Sequence, residues 1–152
     1  MNQPLIHRIS MEQLFGDEDA WNLFREYADE SSLEQMPPFS PDIDLYIKLE
    51  QSGVLRCLGS YVDNVLVGFG ILLVTQNPHY SVRIATVESV FVTKKHRDTG
   101  AGLKLIYALK RQAKEQGAVA LFASAPTHSQ LDRVLSTMGW AHTNQVYCRS
   151  LN

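Results

Sequence analysis

Hydrophobic positions along the chain follow two periods, and the places where the period changes divide it into elements. "LIHRIS" at the amino-terminal end predicts a short first strand, with Ser10 able to cap a helix. Leu14, Ala20, Trp21, Phe24 and Tyr27 then recur at helical spacing with one break near Gly16, which predicts a helix whose aromatic side is core. Pro37, Pro38 and Pro41 in "SSLEQMPPFSPD" forbid a regular helix there. Ser40 ahead of Pro41 predicts the start of a second helix, which Gly53 ends.

After Gly53 the period shortens. "VLRCLGSYV", the turn "DN" and "VLVGFGILLV" predict a hairpin, "TQNPHYS" a loop, and "VRIATVESVFV" the next strand. In that strand Ile84, Val87, Val90 and Val92 do not alternate cleanly, a pattern of burial on both faces or of a bulge. Leu105, Ile106, Leu109 and Ala113 predict a helix from Ala101 to Gln116, closed by Gly117, with Lys104, Lys110, Arg111 and Lys114 on its wet side. "AVALFASAP" predicts a strand, "SQLDRVLSTMG" a short helix, and "WAHTN" with "VYCRSL" a closing pair of strands. The predicted order is β-α-α-β-β-β-α-β-α-β-β, without internal repeat.

The 152 residues suit one domain spanning 1–152, long enough to bury roughly two thirds of its unfolded surface. With 45% hydrophobic and 20% charged residues and no block of like charge, the chain is expected to be soluble and globular. A net charge of −2 argues against coating nucleic acid, so any phosphate site must be local and no nucleic-acid partner is expected. Cys57 and Cys148 lack metal-ligand spacing and are expected to be free thiols; His7 and His142 likewise suggest no metal. No apolar run suits a signal peptide or a membrane span, so a cytoplasmic location is expected by default.

Against that background "KKHRDTGAGLKL" changes the picture. It lies where a strand should turn into a helix. Gly100 and Gly102 let backbone approach a ligand closely, and successive amides before a helix attract an anion such as a pyrophosphate. Arg97 offers a planar fork for a phosphate, and Lys94, Lys95 and His96 raise the local potential. The Walker and dinucleotide patterns are both absent. Taken alone, "DTGAG" would be an ordinary helix start capped by Asp98 or Thr99.

"VESVFVTKKHRDTGAGLKLIYALKRQAKEQG" resembles the central motif of the GNAT family of N-acetyltransferases, with its Arg/Gln-x-x-Gly-x-Gly/Ala at Arg97, Gly100 and Gly102. "VDNVLVGFGILLV" is similar to the family's hairpin strands, "GAVALFASA" to its fifth strand, and "LSTMGW" to its last helix and Gly-aromatic pair. The ordered set covers about Val54 to Trp140. The resemblance implies an α/β (α+β) fold with a mixed, mostly antiparallel sheet of six to seven strands flanked by about four helices. It also implies acetyl-CoA as co-substrate, with no metal. The amides of Asp98, Thr99, Gly100, Ala101, Gly102 and Leu103 would take the pyrophosphate. The backbone of Val90, Phe91 and Val92 would pair with the pantetheine arm, beside a bulge that opens the strand.

An arm laid back along the strand puts the thioester near Glu88, the candidate base for deprotonating an amine, with an amide near Val90 polarising the carbonyl. Without that context Glu88 reads as a carboxylate paired with a cation on a half-exposed strand. The family's usual acid, a tyrosine in the last helix, is replaced by Leu135, and the asparagine that often opens that helix has His128 at its approximate position. Either the CoA thiolate leaves without a dedicated acid, or Tyr80, the candidate acid, His79 or His128 supplies one from a different direction. Glu34, Met36 and Phe39 of the proline-rich elbow, together with His79, are expected to form the acceptor wall. The expected function is acetyl transfer to a primary amine of a small molecule or peptide by direct attack; the alternative is a non-catalytic acyl-CoA-binding or regulatory module. The resemblance also allows a homodimer through the carboxy-terminal strands.

Overall fold

The computed structural model describes residues 2–152. Along the chain it contains β1 (Leu5–Ile9), α1 (Met11–Gly16), α2 (Glu18–Ser31), α3 (Ile43–Gln51), β2 (Leu55–Val62), β3 (Val65–Asn77), β4 (Val82–Val92), a 3-10 segment (Lys94–Thr99), α4 (Ala101–Glu115), β5 (Leu121–Ala123) and α5 (Gln130–Thr137). One mixed sheet runs in the order β1-β2-β3-β4-β5. The first three pairings are antiparallel and β4 pairs with β5 in parallel.

The strands sort their side chains to two faces. On one face Phe69, Ile71 and Phe91 join Met11, Leu14, Leu23 and Phe24 beneath α1 and α2. On the other, Leu72, Val74, Ala85 and Val92 meet Leu105, Ala108 and Leu109 of α4. Glu50 ties the first layer together from α3, since both its carboxylate oxygens accept from the Met11 amide that opens α1, at 3.1 and 3.0 Å.

Local chemistry explains where elements differ from the sequence pattern. The first helix is two, because Asp17 ends α1 in an extended conformation and caps α2 by accepting from the Asp19 amide at 2.8 Å. The helix after the elbow begins behind Asp42 rather than Ser40, the Asp42 carboxylate accepting from the Leu45 amide at 3.0 Å. β3 continues to Asn77, opposite Val82, so the expected loop shrinks to residues 78–81. The turn at Asp63 and Asn64 has φ of 51° and 65°, the left-handed pair that a two-residue hairpin needs.

The expected closing strands are not formed. Residues 140–152 carry no regular structure, leaving a sheet of five strands rather than six to seven. Val146, Tyr147 and Leu151 lie exposed, and the segment pairs with no strand of the sheet.

Candidate active site

The irregular apolar pattern of β4 is a bulge. Ile71 faces Ser89 and Leu72 faces Val87, so Glu88 is the extra residue between them. The slip brings Val87 and Val90 onto the α4 side of the sheet, while Glu88 and Ser89 both border a cavity on the opposite side. One inserted residue thus aims a carboxylate into a cavity and opens the strand beside it.

β5 stops early. Its pairing with β4 covers only Ala85, Thr86 and Val87, so the β4 edge beyond Val87 has no strand against it. The Thr93 amide donates to Val67 across the β3 side at 2.9 Å. By alternation Val90 and Val92 turn their N–H and C=O toward the open side. Arg97 Nε already donates to the Val92 carbonyl at 2.9 Å, leaving the Val90 groups to accept an extended ligand.

At the end of this edge the 3-10 segment feeds α4. Gly100 sits at φ 83°, a conformation costly for any side-chain-bearing residue. The first intrahelical bond runs from Lys104 N to Gly100 O, so the preceding amides point out of the helix start. A Cβ added at Gly102 would meet nothing within 4 Å, and no acidic residue occupies the first turn of α4. Glycine in a helix costs about 1 kcal/mol relative to alanine, so open space above Gly102 suits a ligand rather than the chain's own packing. The loop is braced from behind by α2. Glu26 accepts from Thr93 Oγ1 at 2.8 Å and the Lys94 amide at 3.2 Å, while Glu30 holds Arg97 Nη2 at 2.7 Å. The Arg97 guanidinium also lies 5.2 Å from the centre of the Phe91 ring.

The cavity beside Glu88 has a volume of about 290 Å³ and walls from α1, α2, the elbow, α3, β3 and β4. Phe15, Phe24, Tyr27, Phe39, Tyr46 and Phe69 are its aromatic lining. Glu88 is held from both sides: Tyr46 Oη donates to Oε1 at 2.6 Å and Ser89 Oγ to Oε2 at 2.7 Å. Burial, and then the hydrogen bond to Glu88 and its charge, push the Tyr46 phenol well above its ordinary range. Burial and the same carboxylate raise Tyr27 too. Both phenols therefore remain protonated donors at neutral pH.

The expected site residues fall into three groups. Glu88, Val90, Phe91 and Val92 lie on one strand, which leads through Arg97, Asp98 and Thr99 into the turn at Gly100, Ala101, Gly102 and Leu103. Phe39 lines the cavity, stacked on Phe24 at 5.9 Å between ring centres, whereas Glu34 and Met36 do not line it. His79 and Tyr80 pack edge to face at 4.6 Å in the turn at the far end of β4, six strand residues or about 20 Å from Glu88. The structure does not bring them together with it. Leu135 is buried against Val90 and Leu121 in an apolar gap, and His128 stands at φ 62° in the turn before α5.

Tyr46 carries no local signal in the sequence, since it lies 42 residues from the carboxylate it holds. Glu26 and Glu30 could have been found as an i, i+4 acidic pair on α2. Among the described residues no three His, Cys, Asp or Glu side chains cluster as metal ligands, and no helix is long and apolar enough to cross a membrane.

Comparison with known proteins adds an independent line. The family described as the acetyltransferase (GNAT) family matches residues 17–139. A ribosomal-protein-alanine N-acetyltransferase from Brucella melitensis biovar Abortus 2308 has a similar structure, with a TM-score of 0.73 and 25% identity over 98% of this chain and 99% of that one. An aminoglycoside acetyltransferase from an uncultured soil metagenomic sample, solved with sisomicin, superposes with a TM-score of 0.75 at 20% identity, covering 98% and 97%. An aminoglycoside N-acetyltransferase solved with CoA gives 0.72 at 18%, covering 97% and 99%. No curated protein matches the chain.

Proposed function

The chain belongs to the GNAT family of acetyltransferases, and from that premise we propose that it transfers an acetyl group from acetyl-CoA to a primary amine by direct attack, with Glu88 as the base. The observation that carries this reading is the bulge, which sets one carboxylate at the meeting point of an open strand edge and an aromatic cavity.

Acetyl-CoA fits the groups present. The outward amides at the start of α4 suit its pyrophosphate, and the unpaired β4 edge suits an extended arm. Val92 lies four residues from Glu88, about 13 Å along the strand, so an arm anchored at the loop carries the thioester toward the bulge. The Val90 amide is then the donor for the thioester oxygen. The ammonium in the cavity loses a proton to Glu88, the freed lone pair forms the new C–N bond, the C–S bond breaks to release the CoA thiolate, and the second proton that the nitrogen sheds as it becomes an amide balances the one taken up by the thiolate. Tyr46 and Ser89 hold the carboxylate in place through both oxygens and leave its remaining lone pairs for the amine. Two protonated phenols, Tyr46 and Tyr27, stand beside the reaction, and Tyr46 is the better placed to return a proton to the leaving sulfur. Tyr80 would need a different approach, from the far turn. We assign the whole of residues 1–152 to this one catalytic domain.

The buried Leu135 favours a second reading, a non-catalytic acyl-CoA-binding module that lacks an acid at that point. Two measurements test the choice. A ligand at 100 times its Kd stabilises by about 2.7 kcal/mol, so CoA and acetyl-CoA should raise Tm where ATP does not. CoA release on addition of amines, lost in Glu88→Gln with that stabilisation retained, establishes the enzyme; stabilisation without release in any amine establishes the module.

A further inference from the structure

The cavity that would receive the acceptor has a chemistry of its own, and it discriminates among amines. Its acids are Glu88 and Asp42 alone, and no lysine or arginine lines it. The Asp42 carboxylate is committed as the cap of α3, accepting from the Leu45 amide at 3.0 Å. Glu88, held by two hydroxyls, and Asp42, capping α3 through one oxygen, are therefore the anions of an otherwise apolar chamber. The other acids of the elbow and helix start, Glu34 and Asp44, do not reach it.

The chamber walls are rings, set mostly edge to face with one another. Phe15 meets Tyr46 at 5.6 Å and Phe24 meets Phe69 at 5.3 Å, while Phe39, which is 44% exposed, closes the outer side against Phe24 and Tyr27. Ring faces attract one ammonium and favour an apolar body behind it. An ammonium away from Glu88 and Asp42 would lose its water against rings without gaining a carboxylate, which disfavours polycations. The volume of about 290 Å³ is at the lower end for ligand pockets, enough for one ring and a short chain.

From these contacts we infer that the acceptor is a small primary monoamine with a compact apolar body, an arylalkylamine, and that Phe39 is a specificity-determining wall of its pocket. This rests on the acetyltransferase reading above. The amine nitrogen sits beside Glu88, and the aromatic body lies among Phe15, Phe24, Phe39 and Phe69. A poly-hydroxylated aminocyclitol or a peptide backbone would have to bury polar groups against those rings, with Ser40, Ser89, the two phenols and the two carboxylates to answer them.

The test is a comparison of kcat/KM by chromatographic measurement of CoA, with the purified full chain and acetyl-CoA. The acceptors are 2-phenylethylamine, spermidine, sisomicin and an alanine-initiated hexapeptide. The expected result is a preference for 2-phenylethylamine of at least about tenfold over each of the others. Phe39→Ala should then raise KM for 2-phenylethylamine about tenfold with little change in kcat, while the KM for ethylamine, too short to reach Phe39, stays the same. Faster turnover of spermidine, sisomicin or the hexapeptide overturns the inference and leaves the acetyltransferase reading standing. An unchanged 2-phenylethylamine KM in Phe39→Ala overturns the role of Phe39. Failure of every amine to release CoA, with CoA still bound, overturns the acetyltransferase reading and the inference with it.

Discussion

The two halves of the candidate site are built in opposite ways. The glycine turn at Gly100, to which we assign the pyrophosphate, is one continuous stretch of chain, whose amides are aimed by its own backbone and whose place is fixed by the strand before it and the helix after it. The aromatic cavity is assembled from six elements, and its central contact joins Tyr46 to Glu88 across 42 residues. The first half is a local motif that can be carried as a unit. The second exists only after the layers have packed, so its chemistry can change through single residues scattered along the chain.

If the cavity half holds the chemistry, the largest effect should come from its carboxylate. Glu88→Gln keeps the shape and the two hydroxyl contacts but removes the base, and kcat should fall by about 10²–10⁴-fold while the Tm rise with CoA persists. A fall in CoA binding of the same size would mean that the two halves are not separable. The converse change belongs to the turn. Gly102→Asp places a carboxylate where a Cβ meets nothing within 4 Å, so folding should survive while CoA affinity drops by about 10–100-fold.

Smaller effects sharpen the contrast. Tyr46→Phe removes one of the two holds on Glu88; kcat should fall by about tenfold, and chemical denaturation should show a loss of about 1 kcal/mol. Alkaline pH probes the packing under the cavity. Burial raises the Cys57 thiol above its ordinary 9.0, as it raises Tyr46 and Tyr27 above 10.0. The protonated forms are favoured in the fold, so their contribution is complete below those ordinary values and is lost as pH rises above them. Tm should hold steady to about pH 8 and decline from about pH 9 upward; Cys57→Ala should flatten the first part of that decline. The smallest effect concerns the brace on the turn. Glu30→Gln frees Arg97 from a partly exposed ion pair, and CoA affinity should rise by about two- to threefold at low salt and less at high salt.

Legibility in the sequence followed the same division. The strand, turn and helix around "KKHRDTGAGLKL" were readable because glycine, basic residues and hydrophobic period all act within a few residues of one another. The broken alternation at Val87 and Val90 signalled a bulge, and the bulge lies at Glu88. His79 and Tyr80 were drawn toward the site by their order in the chain. β3 and β4 instead extend as a long ladder that carries them away from it. Arg97, expected to offer its fork to a phosphate, also directs Nε to the Val92 carbonyl and Nη2 to Glu30, contacts that its neighbours in the chain do not signal. The expected closing strands pair with no strand of the sheet, which no pattern within residues 140–152 could have revealed.

The sequence by itself determined most of the strands and helices, the family resemblance and the glycine turn before α4, because period, capping and glycine conformation are short-range properties of the chain. The tertiary structure alone decided which rings enclose the cavity, which hydroxyls hold Glu88, and that Asp42 is a helix cap while Glu88 faces the cavity. Those outcomes depend on side chains from distant segments meeting across packed layers, and the free energy that selects them appears only when the layers close.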